Sequence, residues 1–90
     1  MRDPLKDKLL RVLRKEFPGR SEKVVLRDGF EGSIHLFVIS QRFKNKRMRT
    51  KGEMIWPILF RELTEDEWGR ITLTTGFAPD EIDGKFPDSV

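Results

Sequence analysis

The first seventeen residues of the chain repeat apolar side chains with a helical period, and Lys and Arg occupy the opposite face. Asp3 and Pro4 are typical of a helix start, because Asp accepts backbone hydrogen bonds at the N-cap and Pro suits the first helical position. Pro18 and Gly19 end the pattern. The sequence therefore predicts an amphipathic helix of about 13 residues. Its apolar positions are Leu5, Leu9, Leu10, Val12, Leu13 and Phe17.

Two runs of β-branched and aromatic residues follow this helix. Residues 23–27 form a short run around Val24, Val25 and Leu26, and residues 33–40 form a longer, almost continuously apolar one. Residues 28–32 contain two glycines and an aspartate, which is typical of a turn. We expect an antiparallel hairpin in which the second strand is central to the sheet.

A second helical region follows the hairpin, and Pro57 makes its start ambiguous. Residues 50–53 match a capping box, with Thr50 at its first position and Glu53 at its last. Pro57 conflicts with a straight helix from Thr50, because it removes a hydrogen bond and crowds the Glu53 carbonyl. Either the helix kinks at Pro57, or its regular part begins there. A second capping box, from Thr64 to Glu67, predicts a short extra turn.

Residues 71–75 are β-branched at four of five positions and predict a third strand. A strand, a helix and a following strand in one sheet make a right-handed crossover, so the second and third strands should be parallel. The predicted fold class is α+β, an αββα(α)β two-layer sandwich with a three-stranded mixed sheet and helices on one face. We expect a single domain at residues 1–83 and a loose tail at residues 84–90.

Composition narrows the chemistry that this domain can carry. The chain has 90 residues and no cysteine, which excludes disulfides and thiolate ligands from the chain itself. No apolar run follows the first residues, and the longest one, residues 54–60, is far too short to cross a membrane. From this we expect a cytoplasmic protein that takes neither a membrane nor a small-molecule substrate as its partner.

The net charge of +3 conceals a strong asymmetry between the two halves of the chain. Residues 1–51 hold 15 Lys and Arg against 6 Asp and Glu, a balance of +9. Residues 52–90 hold 3 against 9, a balance of −6. Two interpretations are open: a charged contact face, or halves that neutralise each other in the folded protein.

One segment concentrates the positive charge. Six of ten consecutive residues are basic, with Phe43 and Met48 between them. Such a cluster can neutralise phosphates and predicts contact with nucleic acid or with an acidic protein. The alternative is a solvated loop at a helix start, although a helix N-terminus ordinarily prefers acids. The candidate contact residues are Arg42, Lys44, Lys46, Arg47, Arg49 and Lys51.

The other residues with catalytic or ligating potential form no constellation in the sequence. His35 is the only histidine, and alternation along its strand suggests a structural or half-exposed role. The acidic residues 65–67 suit a helix start, and the Gly29–Gly32 spacing suits a turn between strands. We expect no enzyme activity, no metal site and no cofactor.

Short motifs between residues 36 and 81 resemble the BolA family. Two aliphatics, a serine, a phenylalanine and a basic residue recur at the family's spacing, with Asn45 at its glycine position. Asn tolerates the left-handed conformation that such a glycine adopts. The first set of matching residues is Val38, Ile39, Ser40, Phe43, Asn45 and Lys46. The others are Leu59, Glu62 and Leu63, the strand at residues 71–75, and Pro79, Asp80 and Glu81.

The resemblance implies the αββαβ topology of type II KH domains and a non-enzymatic regulator. BolA proteins are linked to monothiol glutaredoxins that bridge a [2Fe–2S] cluster and, in some bacteria, to DNA binding. The family's two histidines fall here at or beside Gly52 and at Thr72, neither of which can ligate iron. We therefore expect a binding module whose basic loop contacts nucleic acid or an acidic partner, without a bridged cluster. The alternative is a protein–protein adaptor that binds neither nucleic acid nor an iron–sulfur cluster.

Overall fold

Helices and strands follow one another as α-β-β-α-α-β in the computed structural model, which describes residues 3–81. This order and the mixed sheet confirm the predicted α+β class. The predicted tail at residues 84–90, and the end of the predicted domain at residues 82 and 83, lie outside the described residues. The helices are α1 (Pro4–Glu16), α2 (Met48–Glu62) and α3 (Glu65–Trp68). The strands are β1 (Lys23–Asp28), β2 (Ile34–Ile39) and β3 (Ile71–Phe77). Short 3₁₀ turns span Phe30–Gly32, Gln41–Phe43 and Pro79–Glu81.

The three strands form one sheet in the order β1-β2-β3. β1 pairs antiparallel with β2, and β2 pairs parallel with β3, as the crossover rule predicts. The parallel register shifts by one residue between Ile34 and His35. β2 is therefore the central strand, which agrees with its nearly continuous apolar sequence.

The core lies between α1, α2 and one face of this sheet. Alternate residues of β2 are completely buried there, because successive side chains of a strand point to opposite faces. The helices contribute residues spaced three or four apart, which share one helix face. The buried cluster includes Ile34, Leu36 and Val38 of β2, Leu5, Leu9 and Leu13 of α1, and Ile55, Ile58 and Leu59 of α2.

The start of α1 is bound to the start of β3. The Asp3 carboxylate accepts a hydrogen bond from the Leu5 N–H at 3.0 Å, so Asp3 is the predicted N-cap. The same carboxylate accepts from Arg70 Nη2 at 2.7 Å. The hydrogen bond from Arg70 is the main reason that the pKa of Asp3 lies below its usual value. One residue thus caps α1 and binds the residue that precedes β3.

α2 begins earlier than the sequence predicts. Thr50 and Glu53 lie inside the helix, so the predicted capping box at residues 50–53 is wrong. The N-cap is Arg47, whose side chain makes no capping hydrogen bond. The helix continues through Pro57, which lies on its exposed side, so the alternative in which regular helix begins at Pro57 is also wrong. Burial of the face that carries Ile55 and Ile58 holds these turns together across the missing hydrogen bond.

The capping box at the start of α3 is confirmed. The Thr64 hydroxyl accepts from the Glu67 N–H at 3.3 Å, and the Glu67 carboxylate accepts from the Thr64 N–H at 2.8 Å. Lys8 of α1 donates to the same carboxylate at 2.8 Å, and this bond is the largest cause of the lowered pKa of Glu67. β3 extends beyond the predicted residues 71–75 to Phe77, because its pairing with β2 continues to Ile39.

Candidate nucleic-acid interface

The basic segment is anchored to the core by Phe43. This side chain is completely buried, and its ring centre lies 5.8 Å from that of Phe17. A Cβ atom built at Gly76 of β3 would lie only 3.0 Å from three carbons of the Phe43 ring. Gly76 therefore leaves the space that the ring occupies. Phe43 fixes the point at which the chain leaves the sheet for α2.

The largely buried carboxylate of Glu22 holds the start of the basic segment in place. Glu22 accepts hydrogen bonds from the Ser40 hydroxyl at 2.5 Å and from the Gly19 N–H at 2.7 Å. The Nε atom of Arg42 lies 3.4 Å from the same carboxylate. Burial acts to raise the pKa of Glu22, but these two hydrogen bonds and the Arg42 charge outweigh it, and the pKa lies below its usual value.

Arg42 is consequently part of this internal network. Its guanidinium carbon lies 5.0 Å from the centre of the Phe17 ring, a cation–π distance, in addition to its ion pair with Glu22. Its backbone N–H donates to the Ser40 hydroxyl at 3.1 Å. A phosphate would have to compete with a carboxylate that is already in place, so Arg42 is a weaker candidate than the sequence suggests.

The backbone of the basic loop is held in two successive tight turns. Lys44 N–H donates to the Gln41 carbonyl and Lys46 N–H to the Phe43 carbonyl, both at 3.1 Å. Asn45, between the two lysines, has a φ of 61°. The left-handed conformation predicted for Asn45 is confirmed. The backbone of the loop therefore has a defined shape, while the long basic side chains extend from it.

Substitution of Asn45 tests this conformation. We expect Asn45→Val to lower the free energy of unfolding by about 1–2 kcal/mol, because a β-branched side chain is strained at positive φ. Asn45→Gly should stay within about 0.5 kcal/mol of the parent, since glycine adopts this conformation without strain. Urea denaturation of both variants measures the difference. Equal stability of the Val and Gly variants would contradict the left-handed turn.

Four of the six candidate cations form one exposed group, which we call the basic loop: Lys44, Lys46, Arg47 and Arg49. Lys44, Lys46 and Arg47 make no ion pair with any side chain of residues 3–81. In the same part of the chain, the ion pairing of Arg49 is limited to a long contact, 3.9 Å, with Glu53 one turn further along α2. The group surrounds the first turn of α2, which contains no acidic residue and no side-chain cap. The free N–H groups of that turn add to the positive potential.

Lys51 lies apart from the basic loop, contrary to its place in the predicted set. The residue is only 9% exposed, and its ammonium lies 3.3 Å from the Glu81 carboxylate and 5.6 Å from the Phe77 ring centre. Lys51 lies two residues after Arg49 on the helix, so its side chain points to nearly the opposite side, towards β3. Lys51 joins α2 to the end of β3 and is not accessible to a large polyanion.

His35 is half-buried on the sheet face opposite the helices, and its ring lies against Gly29. A Cβ atom at Gly29 would be 2.7 Å from His35 Nε2. Between residues 3 and 81, no three His, Cys, Asp or Glu side chains lie close enough to hold a metal ion. In the same part of the chain, no helix combines the length and apolar character that spanning a bilayer requires.

An aromatic groove that the sequence patterns above do not predict lies beside the basic loop. It lies on the outer face of α2 and α3 and has a volume of about 650 Å³. The spacing of four residues between Met48, Gly52, Trp56 and Phe60 could have revealed it, because such residues share one face of a helix. The lining residues are Arg49, Gly52, Glu53, Trp56, Pro57, Phe60 and Trp68.

Comparisons with protein-family models, with curated proteins and with solved structures give no match to this chain. The geometry of the residues themselves is thus the basis for a functional proposal.

Proposed function

We propose that this domain is a non-enzymatic binding module whose basic loop holds the phosphate backbone of a nucleic acid. The observation that carries the proposal is the group of exposed cations, Lys44, Lys46, Arg47 and Arg49, around the uncapped start of α2. Uncompensated cations at a helix N-terminus cost electrostatic free energy in the isolated protein, and a bound polyanion removes that cost. Lys and Arg on adjacent turns suit repeated phosphates better than a single anion.

The mode of contact should be backbone binding with little discrimination between base sequences. The basic side chains are exposed and make few contacts that would fix their orientation, whereas base recognition needs donors held in a defined geometry. Arg42 and Lys51 contribute only to the overall positive electrostatic potential, because both form ion pairs with carboxylates of the chain.

A BolA-like identity is a further part of the proposal. Its support is the element order, the parallel pairing of β2 with β3, and the positive φ of Asn45 at the family's glycine position. The proposal does not extend to a glutaredoxin-bridged cluster, because the family's histidine positions correspond to Gly52 or its neighbour and to Thr72. The second candidate function, a protein–protein adaptor, is favoured by the aromatic groove next to the basic loop.

A salt titration tests the polyanion proposal. Binding of the parent protein to random-sequence duplex DNA should weaken with salt, with a log–log slope of about −3 to −4 if three or four phosphates are neutralised. The triple substitution of Lys44, Lys46 and Arg47 with Gln should reduce the steepness of this slope by about 2.7 and weaken binding about 100-fold at low salt. Fluorescence anisotropy measures both quantities.

The matched control removes the same charge elsewhere. Arg11, Arg14 and Lys15 are exposed on α1, and their replacement by Gln changes the net charge equally. We expect this control to alter the slope by less than about 1 unit, since only the long-range field is affected. Equal losses in both triple variants, or no binding by the parent at low salt, would favour the adaptor function instead.

A further inference from the structure

A partly exposed apolar stripe runs obliquely along the outer side of α2. Met48, Gly52, Trp56 and Phe60 follow one another at intervals of four residues and therefore lie in a row. Met48 is 67% and Phe60 is 55% exposed, although large apolar side chains are usually covered. The stripe is about 18 Å long, given the rise per residue of a helix.

Three aromatic rings give the stripe a fixed shape at one end. The ring centres of Trp56 and Phe60 are 5.2 Å apart, and the edge of Trp68 packs against both, at 6.3 Å and 5.2 Å. Edge-to-face contacts of this kind hold the rings in place. The three rings form one wall of the groove between α2 and α3, which we call the aromatic ridge.

Gly52 makes a depression beside this ridge. A Cβ atom at position 52 would meet only the Cδ1 atom of Trp56, at 3.9 Å, an ordinary contact. Packing within residues 3–81 therefore does not require glycine here, although glycine is unfavourable in the interior of a helix. The space above Gly52 is open to a large side chain from another molecule.

The two ends of the stripe carry opposite charges. Arg49 follows Met48 at one end of the stripe. Glu65 and Asp66 belong to α3, the short helix of Trp68, which contacts Phe60 at the other end. Glu65 and Asp66 are exposed and form no ion pair inside the described range. A surface with a depression beside a ridge, and opposite charges at its ends, is complementary to itself when rotated by 180°.

We propose that α2 pairs antiparallel with α2 of a second copy of this chain across a two-fold axis near residue 54. Trp56 then fills the depression at Gly52 of the second copy, and Met48 meets Phe60 of the second copy, each contact occurring twice. Arg49 faces the exposed acids of α3 in the other copy. Glu53 lies close to the axis in both copies, where Arg49 of its own chain, at 3.9 Å, offsets its charge. The exposed acids of α3 oppose an alternative occupant, a single nucleic-acid strand, because Glu65 and Asp66 repel phosphates at the Phe60 end of the groove.

This dimer shares only Arg49 with the basic loop, since Lys44, Lys46 and Arg47 precede the helix face that it uses. The dimer carries two basic loops, one from each copy. A single pair of helices buries less surface than the ~1,600 Å² of a standard interface, so the dimer should be weak and should dissociate within the micromolar to millimolar range. The dimer is therefore measured without nucleic acid, and its failure would leave the salt titration unaffected.

Sedimentation equilibrium of the protein alone, from micromolar to millimolar concentration, is the test. The parent should pass from monomer to dimer across this range. Gly52→Gln should remain monomeric because its side chain occupies the depression, while its melting temperature rises with improved helix propensity. Phe30→Ala, which removes an 84% exposed aromatic residue at a distant turn, should dimerise like the parent.

Charge reversal identifies the partner as a second copy. Arg49→Glu should weaken the dimer at least about 10-fold, and so should Glu65→Lys with Asp66→Lys, because each places like charges together. The protein that carries all three changes should regain the dimer, since both ends are reversed. The proposal is overturned by a parent that stays monomeric at millimolar concentration, by a Gly52→Gln protein that dimerises normally, or by a single-stranded oligonucleotide that Gly52→Gln excludes from the groove.

Discussion

Phe43→Ala is expected to lower the free energy of unfolding by about 3–5 kcal/mol. The Phe43 side chain is completely buried between Phe17 and the backbone of Gly76, so its removal leaves a cavity lined by parts that belong to α1, β3 and the loop. The cost includes both the lost burial and the cavity, because the sheet on one side cannot move inward. Chemical denaturation followed by far-ultraviolet circular dichroism measures it.

Two further variants show whether the cost arises from this contact. Phe30→Ala removes the same atoms at an 84% exposed position and should change stability by less than about 0.5 kcal/mol. Gly76→Val adds atoms about where the Phe43 ring lies and should cost about 1–3 kcal/mol. In the double variant the ring is absent, so the total cost should fall below the sum of the two single costs. Additive costs would show that Phe43 and Gly76 do not share the space.

Glu22→Ala is expected to lower the free energy of unfolding by about 2–3 kcal/mol. Hydrogen bonds to a charged group are stronger than those between neutral groups, and several groups lose their carboxylate partner at once. The Ser40 hydroxyl, the Gly19 N–H and the Arg42 guanidinium all contact the Glu22 carboxylate. Glu53→Ala is the control, since Glu53 is exposed and, within residues 3–81, its ion pairing is limited to the 3.9 Å contact with Arg49. A cost no larger than that of Glu53→Ala would contradict the network.

The same carboxylate predicts a dependence of stability on pH. The pKa of Glu22 is lower in the folded protein than its ordinary value of 4.5, so the folded state binds fewer protons than the unfolded state below that pH. Its contribution is complete above pH 4.5 and is lost as the pH falls through the folded pKa. When the free energy of unfolding is measured at decreasing pH, Glu22→Gln should lose less stability than the parent, because the contribution of Glu22 is absent. The losses that come from Asp3 and Glu67 should remain.

The uneven charge of the two halves is partly neutralised by ion pairs between them in the folded protein. Lys8 binds Glu67 at 2.8 Å and Lys51 binds Glu81 at 3.3 Å, so cations of the first half neutralise acids of the second half. The cations of the basic loop take no part in these two ion pairs. We expect the positive potential to be concentrated there, since the acids nearest in the fold already have partners or lie beyond the aromatic ridge.

The sequence by itself determined the elements that local chemistry controls. Asp3 and Pro4 define the start of α1, the Thr64 capping box defines the start of α3, and Asn45 adopts positive φ. In each case the side chain interacts with backbone a few residues away, so the pattern and its structural effect lie within one short segment. The parallel pairing of β2 with β3 followed from the helical connection between them, because a helical crossover ordinarily joins parallel strands.

Only the tertiary structure decided which cations are accessible and where α2 begins. Thr50 matches a capping box, but the packing of the helix face around Ile55 extends the helix back to Met48, and burial outweighs the modest free energy of a cap. Arg42 and Lys51 are indistinguishable from their neighbours in the sequence. Glu22 and Glu81, twenty and thirty residues away along the chain, come close to them only after the sheet and helices assemble. Local patterns cannot report such contacts, because the partners meet only in the folded protein.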